Sequence, residues 1–194
     1  MDICPLPSFN NPMKRILVIG STGVGKTTLA GKLAQTLNLN HIELDSLYWG
    51  PGWRENPREQ FYAQLTPQMA HDRWVIDGNY SFARELIWPQ ADTAVWLDYP
   101  LSIILWRLFR RTIHRTVGRT QLWNENHERF TTQFFSRDSL FLYAVKSQRK
   151  HRSLYPQLFT SPAYTHLHLI RHSTPNQTSR WLESLPETIK KVQH

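Results

Sequence analysis

Gly20-Ser21-Thr22-Gly23-Val24-Gly25-Lys26-Thr27 reads G-x-x-x-x-G-K-T, the pattern of a backbone loop that wraps a phosphate. Its flanks agree with that reading. Upstream, Arg15-Ile16-Leu17-Val18-Ile19 is a short, β-branched apolar run suited to a buried parallel strand. Downstream, Leu29, Leu33 and Leu37 recur every four residues with Ala30 and Ala34 beside them, one face of a helix. Strand, glycine loop and helix together separate a phosphate loop from an ordinary Gly-rich turn. The glycines let N–H groups turn inward without Cβ clashes, and the helix N-terminus adds a favourable dipole. Gly20 through Thr28 are therefore the expected phosphate-binding residues. Lys26 is placed to reach the β- and γ-phosphates and the Thr27 hydroxyl to ligate Mg²⁺. No Asn-Lys-x-Asp guanine-reading run occurs, which tips the expectation from GTP to ATP.

A chain of 194 residues suits one well-buried domain, and 40% hydrophobic with 12% aromatic residues excludes global disorder. No apolar run reaches the ~20 residues that span a bilayer. Residues 1–12 lack the apolar core of a signal peptide and read as a disordered lead-in to a single domain over 13–194. The lone Cys4 excludes an internal disulfide or cysteine metal cluster, so a cytoplasmic protein is expected. Net charge is +8, from 23 Lys and Arg against 15 Asp and Glu. The excess gathers at Arg107, Arg110, Arg111, Arg115 and Arg119, then at Lys146, Arg149, Lys150 and Arg152. Such runs are solvated helix faces, a phosphate clamp or a nucleic-acid surface.

Further strands are expected at 41–44, 73–76, 93–97 and 166–170, and helices at 56–69, about 101–115, a second long stretch ending near 152, and 176–185. Asn56-Pro57-Arg58-Glu59 reads as a helix start with Asn at the N-cap and Pro at N1, and Pro67 as a kink or end. Strands alternating with helices predict an α/β domain, a parallel sheet covered on both faces. Asp45, Asp77 and Asp98 each follow one of these strands. At the carboxyl edge of a parallel sheet they join the phosphate loop, where ligands bind. Phosphoryl transfer needs one carboxylate for the magnesium shell and often another to orient the attacking hydroxyl. Asp77 suits the first role and Asp45 the second, while Asp98 is balanced between site and turn.

The succession of the glycine loop, Leu44-Asp45-Ser46-Leu47-Tyr48-Trp49 with Pro51-Gly52-Trp53, Ile76-Asp77-Gly78-Asn79-Tyr80, Ala91-Asp92-Thr93 and Leu97-Asp98-Tyr99-Pro100 resembles the adenylate-kinase-related P-loop family. Within it the chain is most similar to the branch called topology modulation proteins (FlaR-like), which Leu122-Trp123-Asn124 and Phe135-Ser136-Arg137-Asp138-Ser139 also match. The resemblance implies a P-loop NTPase fold, three-layer α/β/α, with a five-stranded parallel sheet of nucleotide-kinase type in the order 2-3-1-4-5. It implies an ATP-Mg²⁺ site with Asp77 acting through water, and a short helical lid over about 107–130. Arg107 and Arg111, on one helix face, and Arg110 beside them are then the arginines that fold over the transferring phosphoryl group.

The chain departs from adenylate kinases after its third strand. There Asp-Gly-Phe-Pro-Arg grips the acceptor phosphate, whereas Asp77-Gly78-Asn79-Tyr80-Ser81 has Arg84 as its next arginine. Trp49, Trp53, Tyr48 and Tyr80 are either a stacking surface for an acceptor or a satellite core. His166 and His168 share a strand face and are expected to pack or meet solvent. The leading expectation is a kinase moving the ATP γ-phosphoryl group to a small-molecule acceptor near Asp45. The competing one is a nucleic-acid-associated P-loop NTPase, suggested by the charge and the branch's name, although no nucleic-acid-binding motif is found.

Overall fold

The computed structural model describes residues 13–118 and 140–192. Residues 1–12, Arg119, the segments around Trp123 and Ser136, and the distal part of the expected lid lie outside them. Strand β1 (Arg15–Gly20) is buried from Ile16 onward, as its unbroken apolar run requires. Its side chains alternate between two cores: Leu17 and Ile19 join one, Ile16 and Val18 the other. Around it, β2 (Asn40–Glu43), β3 (Trp74–Asp77), β4 (Thr93–Leu97) and β5 (His168–His172) complete, among the described residues, a five-stranded sheet in the order β2-β3-β1-β4-β5. Every pairing is parallel. This is the expected three-layer P-loop fold of nucleotide-kinase type.

One face carries α1 (Lys26–Leu37) through Leu29, Ala30, Leu33 and Leu37. Ile104 and Leu108 of α5 (Leu101–Gly118) and Trp181 and Leu185 of α7 (Pro175–Val192) share that core. Asn38 ends α1 in the left-handed region at φ 52°, a backbone that Asn tolerates better than most residues. The opposite face is covered by α2 (Leu44–Tyr48), α3 (Arg58–Met69), α4 (Arg84–Ile87) and the end of α6 (Leu140–Phe159). Asp92 fastens the sheet's amino edge: its Oδ2 accepts the N–H groups of Lys14 and Arg15 at 2.9 and 2.8 Å. No helix among the described residues is long and apolar enough to cross a membrane.

Several local expectations shift, among them the second long helix, which runs to Phe159, and the last, which spans Pro175–Val192. Asn56 does not cap α3; its amide donates to the Leu47 carbonyl at 2.9 Å, and the helix starts at Arg58 with Pro57 at the N-cap. Pro67 stays inside α3, because Leu65 and Met69 bury on either side of it and hold the turn. The fifth strand begins at His168, since a turn closed by Leu167 N–H to the Tyr164 carbonyl occupies the residues before it. His166 therefore lies outside the strand, its Nε2 3.3 Å from the Trp88 carbonyl oxygen, and shares no strand face with His168.

Candidate functional site

The glycine loop follows β1 directly and opens α1. Gly25, the N-cap of α1, stands at φ +102°, and a Cβ there would lie 2.9 Å from the Arg107 guanidinium. At Gly20, φ +144°, it would lie 2.6 Å from the Leu97 carbonyl oxygen. Both are places only glycine fills without strain. Lys26 is half-buried and folds back over the loop, donating to the Gly20 and Ser21 carbonyls at 3.1 and 3.2 Å. Burial pulls its ammonium below the ordinary lysine value, and the carboxylates of Asp45 and Asp77 oppose that pull.

Asp77 closes β3, nearly buried beside the loop. Its Oδ2 accepts the Thr27 hydroxyl at 2.6 Å, and its Oδ1 meets His41 Nε2 at 2.8 Å. That bond holds the His41 imidazole above its usual pKa. No motif in the sequence marks His41. The signal was one of register: β2 and β3 pair Glu43 with Asp77 and His41 with Val75, which sets His41 diagonal to the carboxylate. Asp45 lies in the first turn of α2, two residues past β2, and accepts the Tyr80 hydroxyl at 2.7 Å. Burial first, then Asp45, pushes the Tyr80 phenol well above its ordinary pKa, so it donates at any physiological pH. Asn79 grips the root of the loop. Its Oδ1 accepts from Gly20 N–H at 3.4 Å and from the Tyr155 hydroxyl at 3.1 Å, and its amide donates to the Gly20 carbonyl.

A cavity of about 520 Å³ joins these elements. Thr22, Gly23, Gly25, Lys26, Thr27 and Thr28 line one side and Asp45, Arg107 and Arg111 face them. Thr178, Ser179 and Leu182 of α7 also line it. Arg107 donates to the Val24 carbonyl at 2.5 Å and stands over the Tyr99 ring, 5.1 Å from its centroid. Of the expected arginines, Arg107 and Arg111 reach the cavity, while Arg110 is on the exposed side of α5 and lies outside its lining. Ser21 turns away from the cavity, its hydroxyl donating to the Ala144 carbonyl of α6 at 3.1 Å.

Asp98 has a different employment. It is buried between two arginines, accepting from Arg152 Nε at 2.6 Å and from the Arg171 guanidinium, and it lines no part of the cavity. Arg152 is therefore not simply solvated, as its place in a charge run suggested. Trp49 and Trp53 meet edge to face, 5.8 Å between centroids, also outside the cavity lining. Tyr48, Tyr80, Phe61 and Phe82 interlock into an aromatic cluster beneath them.

The oxygens of Thr27 and Asp77, side by side next to a phosphate loop, are the hard donors that Mg²⁺ takes, together with phosphate oxygens and water. No family model matches the chain. It is 30% identical over 107 residues to YqaC, an uncharacterized protein of Bacillus subtilis strain 168, a match spanning 53% of this chain and 58% of that one. The chain thus covers less than two thirds of that relative's length. Two solved structures share its architecture. A shikimate kinase from Acinetobacter baumannii in complex with shikimate superposes with a TM-score of 0.58 at 15% identity, over 92% of this chain and 94% of that one. A gluconokinase from Sinorhizobium meliloti 1021 gives 0.51 at 16% identity, over 95% and 99%. At such identities the likeness is one of fold.

Proposed function

We propose that this protein is a phosphotransferase that moves the γ-phosphoryl group of ATP to a small-molecule acceptor. The observation that carries the reading is the single cavity in which Lys26, Thr27, Asp45 and Arg107 converge on one sheet edge. In this reading the loop amides and Lys26 hold the donor's phosphates, and Thr28 extends that cradle. Thr27 directly and Asp77 through water hold Mg²⁺, which when bound neutralises charge on the β- and γ-phosphates. Asp45 accepts a hydrogen bond from the acceptor hydroxyl and aims it at the γ-phosphorus. For that the acceptor takes the place of the Tyr80 hydroxyl or shares Asp45 with it, using the carboxylate's second oxygen. Arg107 and Arg111 stabilise the charge spread over the transferring group, with Arg110 on the same helix joining them if α5 shifts. The fold neighbours named as kinases support the class of reaction, and the shared motif run supports the topology-modulation branch as the chain's relatives.

The test is transfer of label from γ-labelled ATP·Mg²⁺ to nucleosides, nucleoside monophosphates, sugars, hydroxy acids and 5′-hydroxyl oligonucleotides. A labelled small product is expected, with Lys26→Ala reducing its formation at least about a hundredfold while the far-ultraviolet dichroism stays unchanged. Undiminished transfer in a folded Lys26→Ala protein would overturn the assignment. So would release of free phosphate alone, raised by DNA and by none of the small acceptors.

A further inference from the structure

On the other side of Tyr80 from Asp45 lies a second cavity, between β3, α4 and α6, of about 60 Å³. Apolar side chains make much of its lining, Leu17 and Ile76 from the sheet and Ile87 and Leu154 from the helices, and Ser81, Arg84, Lys150 and His151 add polar groups. At about 10–15 Å³ of such space per water, it has room for roughly four to six waters. That is the size of a phosphate or carboxylate group and far too little for a nucleoside. No Asp or Glu lines it among the described residues. Asn79 and Tyr155 also line it, but they are committed to each other and to Gly20. Arg84 is half-buried against the Trp88 ring, 5.3 Å from its centroid, and has no ion-pair partner among the described residues; nor has Lys150 at the rim.

We propose that this cavity is the oxyanion subsite of the acceptor, in which Arg84 and Lys150 hold a phosphate or carboxylate group. The proposal rests on the phosphotransferase reading above and narrows its acceptor to an anionic molecule with a hydroxyl. The two cavities meet at one hydrogen bond: Tyr80 lines the second, Asp45 lines the first, and they are joined at 2.7 Å. An acceptor seated by its anion beside Tyr80 therefore extends towards Asp45 and the γ-phosphate. The field there is positive. His151, stacked on Tyr155 at 4.7 Å, has its pKa lowered to about 4 by burial first, and then by Lys26, Lys150 and Arg84. The ring is thus a neutral donor or acceptor at pH 7.

The subsite is tested without ATP. The full chain carrying Lys26→Ala, which weakens the phosphate loop's own affinity, is titrated with sodium phosphate and separately with sodium acetate. Ionic strength is fixed with chloride, and tryptophan emission is followed because Trp88 lies under Arg84. A saturable response is expected, lost in Trp88→Phe, with the dissociation constant raised roughly tenfold or more by Arg84→Gln and by Lys150→Gln. Arg84→Lys should restore part of the affinity. Saturation by phosphate alone identifies a phosphomonoester acceptor, and saturation by acetate a carboxylic acid. A response that is linear in salt, or unchanged in both glutamine variants, overturns the subsite. Lys150 is exposed, so Lys150→Gln keeps the test decisive should Arg84→Gln fail to fold. Anion binding without transfer to any acceptor sinks only the phosphotransferase reading. Transfer to neutral hydroxyls without anion binding sinks only the subsite.

Discussion

Tyr80 shows how one hydroxyl links packing to chemistry. Its ring belongs to the aromatic cluster with Tyr48 at 4.6 Å and Phe61 at 5.8 Å, while its oxygen fixes one oxygen of Asp45. Tyr80→Phe keeps the ring contacts and removes only that bond. Stability should fall by no more than about 1.5–3 kcal/mol, the usual net worth of a hydrogen bond to a charged group. On the phosphotransferase reading, turnover should fall roughly tenfold to a hundredfold, because the carboxylate proposed to aim the acceptor is left free to rotate, and the KM for ATP should hardly move. Steady-state kinetics and thermal unfolding on the same preparation separate these effects. Equal losses in Tm and in kcat would mark Tyr80 as structural only. At this scale the loop's geometry was legible because glycine has one use there, the positive φ at Gly20 and Gly25, and the G-K-T ending places Thr27 against Asp77. His41 and the Asn79 grip on Gly20 were not, since a lone His or Asn acquires its meaning from a neighbouring strand that sequence order does not reveal.

Helix α6 crosses the carboxyl edge of the sheet and is tied to it at every turn. Ala144 accepts from Ser21, Gln148 donates to the Tyr99 carbonyl at 2.6 Å, Arg152 pairs with Asp98, and Tyr155 donates to Asn79. Asp98 is the strongest of these ties, because a buried carboxylate demands a partner. It has two, Arg152 and Arg171, each about half exposed. Arg152→Ala or Arg171→Ala alone should therefore cost little, up to about 1 kcal/mol, since the other guanidinium remains. The double variant strands the charge and should cost about 3 kcal/mol, well above the sum. Urea unfolding of the four proteins in the cycle measures the excess, and additivity would show that solvent already satisfies Asp98. The partners stand 54 and 73 residues from Asp98, which is why three acids at strand ends looked alike in sequence. The fold sorted them: Asp45 and Asp77 towards the loop, Asp98 into the frame.

At the scale of the whole fold, two histidines among the described residues are held buried and neutral. His172, 6% exposed, packs against Trp181 with centroids 5.1 Å apart, and its Nε2 has no hydrogen-bond partner among the described residues. Burial lowers its pKa to about 4, and His151 behaves alike. The unfolded chain takes up these protons near pH 6.5 and the folded one only near pH 4. Stability should therefore decline as pH falls through that window, by up to about 1.4 kcal/mol per unit for each ring. His172→Phe retains the contact with Trp181 and should flatten part of the decline in Tm between pH 7 and 4; profiles parallel to the parent's would remove His172 as the cause. The sheet order and its two cores followed from the strand–helix alternation and the motif order, whereas the second cavity exists only where three distant segments meet. Helix α6 gives that arrangement a historical consequence. The residues that anchor it recur at 144, 148, 152 and 155, while Lys150 sits at the rim of the second cavity. On the subsite reading, a descendant lineage can exchange the exposed Lys150 and adopt a new metabolite without loosening the scaffold, so paralogues should diverge at this position before they diverge at the anchors.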